Sequence, residues 1–291
     1  MFWLLILIAA IGLLAGLRWA IHRSLAPERV IETRTPADVG LQFEDVTILT
    51  ENGKSVFGWF IPATRSGSGP AVVAIHGWGG NAENLLSLVR PLHEAGFMLL
   101  LIDARCHGLS DENSFASMPR FAEDLGHAID WLKCQEGIDP QAVITIGHSV
   151  GAGAALLSAS GRDDIAAVVS IAAFSHPVAM MRRWFVSKRI PYLPVGWLML
   201  RYIEWVIGYR FDDIAPVNTI QRVHCPVLLV HGAEDTTVPV SEAHAIHDAR
   251  LGEHVQLKIV AGSHDEYADI DRELPILVDF LSKVQVPQRM S

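Results

Sequence analysis

A chain of 291 residues, half of them hydrophobic, can bury a large core and suits one α/β domain with an appendage. A formal charge of −9 and the lack of any Lys/Arg-rich run argue against nucleic acid as a partner. Cys106, Cys134 and Cys225 form no CxxC pair and the histidines no HExxH, so neither a disulfide framework nor a zinc motif is expected.

Residues 1–21 open with MFWLLILIAAIGLLAGL, with no charged side chain before Arg18. That is close to the ~20 residues needed to cross ~30 Å of hydrocarbon. A cleaved signal would prefer a basic start and a small-x-small cleavage site, and neither is clear, so a retained single-pass membrane anchor is expected ahead of a signal. Arg18, Arg23 and Arg29 all follow the span, which puts the rest of the chain on the cytoplasmic side. Residues 22–40 are polar and contain prolines, and read as a tether.

From residue 41 to 285 the pattern is that of one domain, with 286–291 as a tail. FEDVTIL and SVFGWFI, separated by Glu51-Asn52-Gly53-Lys54, predict a β-hairpin. Apolar runs follow at AVVAI (71–75), FMLLLID (97–103), AVITIGH (142–148), IAAVVSIAA (165–173), PVLLVHG (226–232) and VQLKIV (255–260). Helical patterns at about 81–95, 119–135, 150–160, 241–251 and 273–284 separate them. Near-continuous apolar strands alternating with helices predict an α/β fold, a mostly parallel sheet covered on both faces. His244 and His247, at helical spacing, read as a solvated helix face. Between the sixth and seventh strands lie about fifty residues, more than one crossover helix requires. They include GWLMLRYIEWVIGYR, apolar around most of a helix, which fits either a core-filling helix or a cap over a cavity.

Gly147-His148-Ser149-Val150-Gly151 is G-x-S-x-G at a strand-to-helix junction, where small neighbours permit a tight, strained turn that lifts a hydroxyl above the sheet. Such a serine needs a base. Asp235 follows the seventh strand in HGAEDTTVP, with adjacent Glu234 as a substitute, and His264 follows the eighth in AGSHD. The expected catalytic set is therefore Ser149 as nucleophile, His264 as proton carrier and Asp235 as the group that orients and stabilises the imidazole. The glycines of His76-Gly77-Trp78-Gly79-Gly80 leave main-chain amides free, and those of Trp78 and Val150 are the expected oxyanion donors. HGWGG lacks the GK[ST] ending of a phosphate loop. His76, His148 and His231 are expected to hydrogen-bond locally, and Asp103 and Arg105 to hold their loop.

These motifs, in this order and each at a strand end, resemble the α/β-hydrolase superfamily over roughly residues 40–285. Asp103-Ala104-Arg105-Cys106-His107-Gly108-Leu109-Ser110 is similar to the family's D-x-R-x-x-G-x-S loop, and Asp212-Asp213-Ile214-Ala215-Pro216 to its approach to the acid. The resemblance implies the α/β-hydrolase fold with a helical cap inserted after the sixth strand, at about 175–215. It implies a serine hydrolase of carboxylic esters or thioesters working through an acyl-enzyme, with no metal or organic cofactor. The anchor, with Trp184, Phe185, Trp197, Tyr202 and Trp205 in the cap, points to an apolar or lipid acyl substrate. Arg182, Arg183, Lys188 and Arg189 fit a solvated face and anionic headgroups equally. A proline-iminopeptidase-like peptidase is the alternative, although it needs an acidic anchor for the substrate amine that the sequence does not place. A binding module without activity is disfavoured by the intact serine, aspartate and histidine.

Overall fold

Eight strands form one sheet in the order β1-β2-β4-β3-β5-β6-β7-β8 in the computed structural model, which describes residues 2–63, 67–264 and 270–284. They are β1 (Glu44–Leu49), β2 (Ser55–Ile61), β3 (Gly69–Ile75), β4 (Met98–Ile102), β5 (Ile138–His148), β6 (Ala167–Ile171), β7 (Val227–Gly232) and β8 (Val255–Val260). The first two make the expected antiparallel hairpin, and its turn puts Asn52 (φ 63) and Gly53 (φ 66) in the left-handed region, which Asn and Gly tolerate best. β2 also runs antiparallel to β4, while β3 to β8 are all parallel.

The helices cover both faces of that sheet. Val73 and Ile75 point into a core shared with α3 (Met118–Lys133) and α4 (Val150–Ala159). Val72 and Ala74, one residue out of phase, point into a core shared with α2 (Leu86–Glu94) and α10 (Ile270–Ser282). The chain leaves β3 for β4 on one side and returns to β5 on the other, so the carboxyl ends of β3 and β5 flank a switch point, where open α/β sheets leave a crevice. Ile75 is in register with both Ile102 and Gly147, and Gly147 with Ser170, so the loops leaving these strands emerge side by side.

At the N-terminus Phe2–Ser24 forms one helix, α1. Among the described residues no helix is long and apolar enough to cross a membrane, and the anchor expected from the sequence is not shown by the structure. Residues 22–40 lie against the domain: Ala116 N–H donates to the Leu25 carbonyl, and Arg29 donates to the carbonyls of Gly108 (2.6 Å) and Ser110 (2.7 Å). Thr33 and Arg34 donate their N–H groups to the Glu83 carboxylate. The predicted tail, 286–291, lies outside the described residues.

Between β6 and β7 the chain forms α5 (Pro177–Ser187), α6 (Trp197–Ile207) and the short α7 (Phe211–Ile214) and α8 (Pro216–Thr219). Only one stripe of α6 is buried, at Leu200 and Ile203, while Trp197, Leu198 and Trp205 face outward. The all-round apolar pattern is thus a half-buried helix. α9 (Ser241–Asp248) precedes β8 and exposes His244 as expected, whereas His247 is half-buried with its Nδ1 3.2 Å from Arg250 Nη1.

Candidate active site

Ser149 sits between β5 and α4 with φ 53 and ψ −113, a conformation that costs a side-chain-bearing residue about 1–3 kcal/mol. Its surroundings leave no alternative. A Cβ on Gly147 would lie 2.1 Å from the Gly151 carbonyl oxygen, and one on Gly151 would lie 2.4 Å from that of His76. The Ser149 N–H donates to the Ile171 carbonyl at the end of β6 (2.8 Å). Glycine at 151 therefore follows from the crossing of the turn over the end of β3, and glycine at 147 from the closeness of the first turn of α4, and the turn delivers the hydroxyl to the crevice.

Beyond β7 and β8, Asp235 and His264 converge on that hydroxyl. His264 Nδ1 lies 2.7 Å from Asp235 Oδ2, and His264 Nε2 lies 3.0 Å from Ser149 Oγ, across 115 residues of sequence. With Nδ1–H donated to the carboxylate, Nε2 is left bare to accept the serine proton. Asp235 Oδ1 accepts the N–H groups of Thr237 (2.9 Å) and Val238 (2.7 Å), so both carboxyl oxygens are occupied and the side chain is locked. Glu234, the expected substitute, instead accepts the N–H of Gly262 at the surface.

The loop after β3 brings Gly77 against the serine, where an added Cβ would lie 3.1 Å from Ser149 Cβ. The Gly77 carbonyl accepts from His76 Nδ1–H (2.6 Å) and from Gly80 N–H (3.2 Å). The peptide bond is planar and trans, so fixing that carbonyl fixes the Trp78 N–H in the opposite direction. His76 Nε2 accepts the Ala104 N–H (3.0 Å), which settles the tautomer. Burial, then neighbouring His107, push the His76 pKa down to about 3, so the ring is neutral. Val150 is the first residue of α4, and its N–H is one of the four that the first turn leaves without an intrahelical partner.

The loop after β4 supports this arrangement from behind. Asp103 accepts the N–H groups of Ala82 and Leu109, each at 2.8 Å. A Cβ on Gly108 would lie 2.0 Å from Asp103 Oδ2 and 2.3 Å from Glu32 Oε1, so two carboxyl groups face one another there. Burial first, then Glu32, push the Asp103 carboxyl up to about 8. Arg105 is buried and pairs with Asp124 and Glu123, each at 2.6 Å. Both residues hold their loop, away from the serine.

A cavity of about 550 Å³ opens over Ser149 and His264. Apolar side chains from the loop after β3, from α2, from α5 and from α10 line it, among them Leu85, Leu88, Met180 and Leu277. Among its described lining residues Lys258 is the only lysine or arginine, and none is a carboxylate.

Two positioning contacts escaped the sequence reading. His148, expected to bond locally, reaches across 116 residues, with its Nε2 2.9 Å from the His264 carbonyl. His231 does bond locally, to the Val238 carbonyl at 2.7 Å. Glu242, in the first turn of α9, is buried and binds Ser175 and the Arg183 guanidinium. Arg183, grouped in sequence with basic surface residues, is thereby tied inward. An acid at a helix start is ordinary, and nothing local marks this one as the staple of α5.

Residues 68–208 match the serine aminopeptidase S33 family. The uncharacterized protein Rv2307c of Mycobacterium tuberculosis (strain ATCC 25618 / H37Rv) is 31% identical over 199 residues, 68% of this chain. The match spans only 63% of that relative's length. The uncharacterized protein YfhR of Escherichia coli (strain K12) is 27% identical over 256 residues, 84% of this chain and 82% of that protein. The esterase Pf2001 of Pyrococcus furiosus superposes with a TM-score of 0.69 at 24% identity, over 89% of this chain and 98% of that one. The chain has the α/β-hydrolase fold.

Proposed function

We propose that this chain is a serine hydrolase that cleaves carboxylic ester or thioester bonds of apolar acyl substrates. The observation that carries the proposal is the continuous relay from Asp235 through His264 to Ser149, 2.7 and 3.0 Å long, at the floor of an apolar cavity. Ser149 Oγ attacks the acyl carbon as His264 Nε2 takes its proton. The Trp78 and Val150 amides receive the oxyanion, each worth roughly 3 kcal/mol in the transition state. The imidazolium, stabilised by Asp235, returns the proton to the leaving alcohol or thiol, and water then repeats the sequence on the acyl-enzyme. None of these steps calls on a metal or an organic cofactor.

Aminopeptidase activity, suggested by the matched family's name, is the second reading. A substrate amine needs an acidic partner, and the described cavity lining supplies a lysine instead, which supports the ester reading. Residues 1–21 serve in this proposal as a single-pass anchor that keeps the catalytic domain at the cytoplasmic face of a membrane, close to lipid acyl groups.

A fluorophosphonate probe should label the protein at Ser149. Labelling that persists in Ser149→Ala would remove the nucleophile assignment. Nitrophenyl esters of graded chain length, run beside aminoacyl amides, separate the two activities, and amide turnover above ester turnover would favour the peptidase. Protease protection in sealed vesicles tests the cytoplasmic placement.

A further inference from the structure

On α6, Trp197, Leu198, Arg201 and Trp205 fall within about 100° of one another at 100° per residue, opposite buried Leu200 and Ile203. Trp197, Leu198 and Trp205 are 46%, 56% and 71% exposed. The preceding turn adds Leu193 and Val195, also exposed. A core helix would bury these rings, and a solvated one would replace them with polar residues.

Charge follows the same segment. From 177 to 210 the chain carries Arg182, Arg183, Lys188, Arg189, Arg201 and Arg210 against the single acid Glu204, within a molecule of net charge −9. Arg183 is tied to Glu242 and Arg201 pairs with Glu204, whereas Arg182, Lys188, Arg189 and Arg210 are exposed. Exposed tryptophan beside exposed cations matches the headgroup layer, which favours amphipathic rings and, where anionic, basic side chains.

The position of this face is set by α1. His22 Nε2 lies 3.0 Å from the Tyr202 hydroxyl, and the Tyr202 and Trp205 rings are 5.7 Å apart. Ile21 is buried in the core that also holds Phe185, Leu200 and Ile203. The end of α1 is therefore docked on α6. If α1 spans a bilayer, Arg18 to Arg23 mark where it leaves the hydrocarbon, and the contact with Tyr202 puts Trp205 at that level.

We infer that the outer face of α6, formed by Trp197, Leu198, Arg201 and Trp205, lies in the headgroup layer of an anionic phospholipid bilayer. The chain then meets the membrane at two places, through α1 and along the inserted helices. α5, which precedes α6 in the same insertion, contributes Met180 to the cavity. The inference rests on the anchor reading of α1, and the experiment separates the two.

The full chain, with Cys134→Ser and Cys225→Ser, carries a nitroxide at Trp205→Cys, at Leu198→Cys as a second position on the face, or at Glu51→Cys as an aqueous control. Each is reconstituted into phosphatidylcholine vesicles with and without phosphatidylglycerol, and floated. Spin-label collision with oxygen and with a water-soluble nickel chelate is then measured. The expected result is flotation in all cases, with positions 205 and 198 losing nickel access while keeping oxygen access, more so with phosphatidylglycerol, and position 51 unchanged. Flotation with 205 and 198 open to nickel overturns the inference and leaves the anchor standing. Failure to float overturns both. Loss of access to both reagents indicates a protein contact, such as a second copy, and overturns the lipid assignment. Equal shielding in the two vesicle types overturns its anionic part.

Discussion

The turn that carries Ser149 and the helices inserted between β6 and β7 are held in opposite ways. Around the serine, backbone from β3, the end of β6 and the start of α4 closes in, leaving no room for a methyl group on Gly147 or Gly151. The inserted helices turn one stripe inward, Phe185, Leu200 and Ile203, and their buried polar staple is Glu242. Strained backbone persists only where its surroundings over-determine it, whereas an amphipathic helix needs little beyond an apolar stripe. The geometry at the turn is thus specified atom by atom. The insertion is specified by hydrophobicity on one side and is free to acquire a second role on the other.

Substitutions should rank accordingly. The largest loss is expected where the relay has no slack: Asp235→Asn should lower kcat by on the order of 10⁴ by favouring the wrong imidazole tautomer, with an unchanged melting temperature. Ester kinetics and calorimetry on the same sample check this, and a loss under tenfold would mean that the carboxylate does not orient His264. Next comes Gly151→Ala, whose Cβ would press on the His76 and Ile75 carbonyls. Since those atoms are backbone, a cost of roughly 3 kcal/mol in denaturant unfolding is expected.

A smaller and different effect is expected at the staple. Glu242→Gln weakens charge-assisted bonds to Ser175 and Arg183, worth about 2 kcal/mol in total where partly exposed. Because α5 walls the cavity with Met180, KM for long-chain esters should rise while kcat for short ones stays within a few-fold. Equal losses on both would show the insertion to be as tightly coupled to the chemistry as the turn.

The finest discrimination is by pH, at the loop behind the turn. Asp103 titrates near 8 in the fold and near 3.8 when unfolded, so across that interval the folded state holds a proton that unfolding releases. Stability should therefore fall as pH rises toward 8, by up to about 1.4 kcal/mol per pH unit. His76 (about 3) and His107 (about 4) act with the opposite sign below pH 6.5, where the unfolded chain binds protons that the buried rings refuse. Above pH 6.5 the opposing contribution of the two histidines fades, and toward pH 8 Asp103 dominates among these three. Glu32→Gln removes a carboxyl that raises it, so the melting temperature of this variant should decline less over that range. Identical slopes in thermal scans would show that the Glu32 carboxyl does not act on Asp103.

What could be read from the sequence was what is local. The strand runs, the hairpin at Asn52-Gly53 and the elbow are written in consecutive residues, because alternation, turn chemistry and steric crowding act over a few positions. The order of serine, acid and histidine added the long-range part of the site through its resemblance to a family. Contacts such as His22 to Tyr202, His148 to His264 and Arg183 to Glu242 have no such signature. Each joins residues whose neighbours look ordinary, and only the folded path of the chain brings them together. The outward face of α6 was hidden for a related reason: a helix apolar on most sides does not declare which side the core will take.

The link from His148 to the His264 carbonyl has a kinetic corollary. His148 and Ser149 are successive residues, so the proposed base is tethered by its own main chain to the neighbour of the proposed nucleophile. In the proposed reaction, a fluctuation of the strand-end loops would displace proton donor and acceptor together, keeping short the gap the proton must jump.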